Sequence, residues 1–213
     1  MRLDGSGEDW ARLRRRWTSI ASWALLAAFV VYVMLLPGAP NPAALASDLR
    51  EAAQQGDLAA LERAIAQGAA IDAADDSGAT ALLSAARAGQ TAAAKRLYSL
   101  GARVDRRARV LGTPLIQAAV NGHEQTVRLL LDAGADPNIV NEYGNDALTF
   151  AIFSPDPAVV RALLERGAEV SPMHLKLCAQ CGDPRITELL KSASEKRSRR
   201  GSNLQPSAPE TTE

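Results

Sequence analysis

An all-α solenoid of about five helix-turn-helix units, preceded by one transmembrane helix, is the fold class this sequence predicts. Three observations lead there. Gly-Ala pairs recur every 33 residues, residues 17–36 run for twenty positions without a charge, and only 4% of the 213 residues are aromatic. A chain so poor in large rings and so rich in alanine builds its core from small aliphatic side chains on closely packed helices.

The N-terminal elements come first. Residues 1–16 carry five basic and three acidic groups, among them Arg12, Arg14, Arg15 and Arg16. Trp17 to Leu36 reads WTSIASWALLAAFVVYVMLL. At 1.5 Å per residue such a helix is about 30 Å long, the thickness of a bilayer's hydrocarbon core. Trp17, Trp23 and Tyr32 lie in or at the edges of the run, where amphipathic rings suit the headgroup region. Arginines precede the run and the next basic residue after it is Arg50. The positive-inside rule then leaves residues 1–16 in the cytoplasm and sends the rest of the chain across the membrane. The Ala- and Arg-rich composition points to a bacterial inner membrane and hence a periplasmic repeat domain. A cleaved secretory signal is the alternative, since Ala44-Leu45-Ala46 before Ser47 has the small-x-small form of a processing site. The apolar run is longer than a signal's usual core, which favours the uncut anchor. Residues 37–46, with three prolines, read as an extended linker, and Ser47 as the N-cap of the first repeat helix.

From residue 47 to 192 the repeat governs. Gly-Ala stands at 68–69, 101–102, 134–135 and 167–168. Gly56, Gly89 and Gly122 keep the same spacing, as do Thr80, Thr113 and Asp146. Within a unit Thr113-Pro114 opens a helix with a capping hydroxyl and a first-turn proline. Leu115, Ala118 and Ala119 share one face, and Gly122 closes the helix. Val127, Leu130 and Leu131 mark a second helix, ended by Gly134 in the left-handed conformation. Neither helix can bury its apolar face alone, so the units must stack. Their bounds fall near 47–74, 75–107, 108–140, 141–171 and 172–192. Residues 193–213, from SEKRSRRG onward, read as a disordered tail.

The stretch GTPLIQAAVNGHEQTVRLLLDAGADPN, residues 112–138, resembles the ankyrin repeat closely. Related units are DSGATALLSAARAGQTAAAKRLYSLGARVD (76–105) and YGNDALTFAIFSPDPAVVRALLERGAEV (143–170). A degenerate unit spans 47–72. The last, MHLKLCAQCGDPRITELLK (173–191), has lost about six residues of its finger. The family's TPLH signature ends in a His that bonds neighbouring turns. Leu83, Ile116 and Thr149 stand there instead, so those bonds are expected to be missing. The finger glycine of the third unit is also displaced, with Leu111 in its place and Gly112 one position later, which predicts a local rearrangement.

The resemblance implies protein–protein binding through finger tips and the exposed side of the first helices. Mapped through the register, the candidate partner-binding residues are Arg109, Val110, Val120, Asn121, Glu142, Tyr143, Asn145 and Phe153. Val110, Val120, Tyr143 and Phe153 would form an apolar strip of the sort that marks interaction surfaces. The alternative for Val120 and Phe153 is that they fill space between repeats.

Other chemistry is weaker. Lys+Arg and Asp+Glu are both 24, and residues 47–192 hold fifteen basic against eighteen acidic groups. That faint acidity argues against a nucleic-acid groove. The two histidines, His123 and His174, show no evident catalytic partner, and no phosphate-binding glycine loop occurs. Cys178 and Cys181 form a CxxC at a helix end, where packing is the plain reading and a disulfide the alternative. Arg103, Arg106, Arg107 and Arg109 share one finger between acidic neighbours. They either pair with those fingers or dock an acidic partner. The expectation is a non-enzymatic, membrane-tethered binding scaffold with no catalytic residue, metal, cofactor or small-molecule substrate. An inhibitor or immunity-type subunit that blocks another enzyme is the alternative, and a soluble exported protein after signal cleavage is the second.

Overall fold

The computed structural model describes residues 41–154 and 156–202, with side chains through Lys196. Apart from Asn41 these belong to the second of two units into which the chain divides, Pro42–Glu213. The basic N-terminus and the predicted transmembrane helix at 17–36 lie outside the described residues. Among those described, no helix is long and apolar enough to cross a membrane.

The described residues form five helix pairs. They are α1 (Pro42–Gln55) with α2 (Leu58–Ala66), α3 (Ala81–Arg87) with α4 (Thr91–Ser99), and α5 (Pro114–Val120) with α6 (Glu124–Asp132). Then come α7 (Ala147–Ala151) with α8 (Pro157–Glu165), and α9 (Pro172–Cys181) with α10 (Pro184–Ser202). First helices stack on first helices and second on second, so α3 lies between α1 and α5, and α5 between α3 and α7. This sandwiching explains why every residue from Ala81 to Ala86 is buried. Alanine at 85–86 and 118–119 lets the backbones approach, while Leu82, Leu115 and Leu148 fill the space between the two layers. Each such fully buried leucine contributes about 2 kcal/mol of transfer free energy.

Three sequence expectations are corrected. Residues 42–46 are the first turn of α1 and not extended linker, and Ser47 lies inside that helix. Pro42 suits a first turn, where no amide hydrogen is needed. Ala43, Ala44, Leu45 and Ala46 are strong helix formers, and Leu45 (6% exposed) and Ala46 are buried in the core. At the other end α10 runs through Ser202, so the tail is helical as far as that residue. Ala193, Glu195, Lys196, Arg197 and Arg199 all favour a helix, and no proline interrupts them. The final unit begins at Ser171 and not at Met173. Ser171 caps α9, and Ser171-Pro172-Met173-His174 is the fourth occurrence of the signature, after those at Thr80, Thr113 and Asp146. Twelve positions separate Gly134 from Asp146, but only four separate Gly167 from Ser171. The finger has lost eight residues while α9 has gained length, which disguised the register.

Between the helix pairs the fingers are held by side-chain acceptors. The Asp75 carboxylate accepts from the amides of Ser77 and Ala79, each at 2.9 Å. The Asn141 side-chain oxygen accepts in the same way from Tyr143 at 3.0 Å and Asn145 at 3.1 Å. Ala108 stands at the equivalent place in the third unit and offers no acceptor. Ala108 N donates to Gly112 O at 2.9 Å, as Asp75 and Asn141 do to Ala79 and Asn145. Here, however, Gly112 N bonds the Ala108 carbonyl at 3.1 Å in place of a side-chain acceptor, which makes an antiparallel bridge. This is the rearrangement expected from the displaced glycine.

Neighbouring fingers are joined by a ladder of period 33. Asp72 accepts from the Arg103 amide at 3.1 Å, Asp105 from Asp136 at 3.2 Å, and Asn138 from Glu169 at 2.9 Å. Each rung reaches 31 residues ahead. On the outer face Arg96 meets Glu62 at 3.1 Å, Arg128 meets Glu165 at 3.6 Å, and Arg166 bonds Asp132. These exposed pairs each add well under about 1 kcal/mol.

Candidate partner-binding surface

The apolar candidates are exposed. Val110 is 52% exposed, Val120 45%, Tyr143 67% and Phe153 57%. Val110 and Tyr143 stand in successive fingers, Val120 ends α5, and Phe153 lies in the turn after α7. Since α5 packs directly on α7, the two ledges are neighbours. Phe153 and Val120 therefore do not fill space between repeats. Phe150 is the ring half-buried against the core.

The polar candidates divide. Arg109 and Glu142 are exposed, whereas Asn145 is half-buried and gives its amide hydrogen to Asn141. Asn121 is exposed, but its side-chain nitrogen donates to Gln117 O at 2.8 Å, closing α5. Asn121 and Asn145 thus shape the ledge, and Arg109 and Glu142 flank it with opposite charges.

Two extensions of this surface were not read from the sequence. Met173 and Leu175 of α9 are exposed, on the helix that packs beside α7 in the last unit. The shortened finger hides their register position in the sequence. Toward the first unit the groove turns polar around a cavity of about 480 Å³ lined by Ser47, Arg50, Gln54, Asp75, Ser84 and Arg87. The Ser77 hydroxyl, two backbone amides and Arg50 hold the Asp75 carboxyl below its ordinary value against the cost of burial. Ser47, Arg50 and Gln54 recur at helical spacing along α1.

Neither histidine is without a partner. His123 Nε2 donates to Arg87 O at 3.1 Å, closing α3 from the next unit. His174 is 3% exposed. Its Nδ1 accepts from the Ser171 amide at 3.1 Å, which places the ring proton on Nε2. That atom lies 3.2 Å from the Asp146 carboxylate and 3.1 Å from the Thr149 hydroxyl. So the cross-unit bonds expected to be missing exist at this junction, contributed by the later unit. Burial pushes the Asp146 carboxyl up, but bonds from His174 and from the Thr149 amide and hydroxyl outweigh it and hold the group low. Ser171, His174 and Asp146 stand in the order of a nucleophile, base and acid. Ser171 Oγ also accepts the His174 amide hydrogen as a helix cap, and with its ring sealed from solvent the chain serves as a bracket between α7 and α9.

Cys178 is buried, and its sulfur lies 3.1 Å from the Thr187 hydroxyl and 3.5 Å from Cys181 Sγ. Burial pushes its thiol up, which is the condition of an inert packing cysteine. Among the described residues no group of three or more His, Cys, Asp or Glu could hold a metal ion.

The arginine finger departs from its expected pairing. Carboxylates lie within 4.0 Å of Arg50, Arg96, Arg128, Arg166 and Arg185. Among the described residues none lies that near to Arg103, Arg106, Arg107 or Arg109.

A sequence model described as ankyrin repeats (3 copies) matches residues 49–141 and 109–174, together more than half of the chain. No curated protein matches it.

Proposed function

The chain belongs to the ankyrin-repeat family, and from that premise we propose that it is a non-enzymatic scaffold, tethered to a membrane by residues 17–36, that grips a protein partner. Ankyrin repeats support a role in protein–protein interaction. The grip is assigned to Val110, Val120, Tyr143 and Phe153, flanked by Arg109, Asn121, Glu142 and Asn145. The observation that carries this reading is the joint exposure of four apolar side chains on adjoining ledges. Each exposed ring costs solvation that only a partner recovers, and buried aromatic anchors dominate interface energies.

The test uses the full chain. Crosslinking in intact cells followed by mass spectrometry identifies the partner. Tyr143→Ala with Phe153→Ala should then weaken its capture tenfold or more while the melting temperature moves by no more than about 2 °C, as expected for exposed side chains. Unchanged capture would move the site off these ledges. Capture of one stoichiometric enzyme that loses its activity would turn the reading toward an inhibitor.

A further inference from the structure

Four arginines crowd seven positions of one finger, and among the described residues no carboxylate lies within 4.0 Å of any of the four guanidinium groups. Arg103, Arg107 and Arg109 are exposed and Arg106 is half-buried. Three acids of this and the preceding finger are committed elsewhere. Asp72 accepts the Arg103 amide hydrogen and Asp105 that of Asp136. Asp75 takes the Ser77 hydroxyl and two amides of its own turn, with Arg50 at 3.9 Å. These carboxylates are occupied by other groups, so among the described residues the finger's charge is left unpaired. Like charges so close repel one another, and a segment that kept them for stability alone would hold them in ion pairs, as Arg96, Arg128 and Arg166 are held.

We infer that this finger is an acceptor for a carboxylate-rich segment of the protein partner, lying next to an apolar anchor that enters the Val110–Phe153 strip. The inference rests on the reading of that strip as the binding surface and names the partner's chemistry. Arg109 is followed directly by Val110, so the cationic and apolar surfaces meet at one edge. Guanidinium forks bind carboxylates bidentately and are weakly hydrated, which suits them to partly buried contacts. A phosphate polymer fits less well. The adjoining fingers present Asp76 on one side and Asp136 and Glu142 on the other, all exposed. A duplex or a flat anionic bilayer broad enough to meet the arginines would meet these acids too, whereas a narrow peptide segment would not.

The experiment pans a library of random 16-residue peptides against three full-length chains: the parent, Arg103→Gln/Arg106→Gln/Arg107→Gln, and Tyr143→Ala/Phe153→Ala. Melting temperatures serve as the folding control, and the glutamine variant should match the parent because no native bond is lost. The parent should enrich peptides with clustered Asp or Glu beside Phe, Trp, Leu or Ile. The glutamine variant should lose the acidic enrichment, keep the apolar one, and bind the best parental peptide at least tenfold more weakly, with its salt dependence flattened. Acidic enrichment that survives in the glutamine variant overturns the inference and leaves the strip reading intact. Acidic enrichment with no apolar component, unaffected by the alanine variant, overturns the strip reading and leaves the arginine acceptor standing. Absence of acidic enrichment in the parent, or tighter binding of a 20-mer oligodeoxythymidylate or of dihexanoylphosphatidylserine than of the best peptide, overturns the inference outright.

Discussion

Asp146 does two tasks with one carboxylate. It caps α7 through the Thr149 amide at 2.7 Å and receives the ring of His174 from the following unit. A carboxyl held low by its native bonds stabilises the fold at every pH above its ordinary value of about 3.9. That contribution disappears as the pH falls through the lower folded-state value. Asp146→Asn removes the charge while keeping an acceptor. Near neutral pH the variant should melt several degrees below the parent, a loss of about 1–2 kcal/mol. As the pH falls from about 5 to below the carboxyl's ordinary value, the parent's melting temperature should fall by more than the variant's, so the gap narrows on acidification. Parallel curves in differential scanning calorimetry would show that the carboxylate is not held by these bonds.

At the scale of the element, α1 carries the sharpest consequence. A cut between Ala46 and Ser47 would sever this helix after its first turn and remove Leu45 from the core. A chain beginning at Ser47 should therefore melt well below one beginning at Pro42, by about 2–4 kcal/mol for the lost leucine and helix turn. Equal melting of the two chains would show that the turn adds nothing. How far the helices were legible follows from what each signal depends on. Thr113-Pro114 and the leucines of α5 and α6 declare themselves locally, because capping and helical periodicity are written within a dozen residues. The start of α1 was obscured by neighbouring prolines, although Pro42 begins a helix as readily as it ends one. The start of α9 was obscured because its finger shrank while the helix grew. The apolar candidates were legible as register positions. The unpaired state of the arginines was not, since it depends on where Asp72 and Asp105 spend their oxygens, and only three-dimensional packing decides that.

For the whole chain, the proposed topology puts residues 1–16 in the cytoplasm and the array beyond the membrane, on the motive of the arginine imbalance across residues 17–36. A reporter that works only in the cytoplasm, fused after Glu213, should stay silent. Strong reporter activity would reverse the orientation. Among the described residues the main packing of the array is between adjacent modules, so its stability accumulates unit by unit. The finger ladder determines how such a set can grow. Asp72, Asp105 and Asn138 each hold the backbone 31 residues on, and the structure carries that spacing unchanged from the first rung to the last. A duplicated block of 33 residues inserted between Asp72 and Asn138 would find a side-chain acceptor behind it and a backbone N–H donor ahead of it. It would lengthen the groove without disturbing either end. After Glu169 the shortened finger offers no such place, because the cap of α9, Ser171, stands two residues later. Duplication in the gene can therefore extend this molecule from its middle, and a copy appended behind the last finger would have nothing to fasten to.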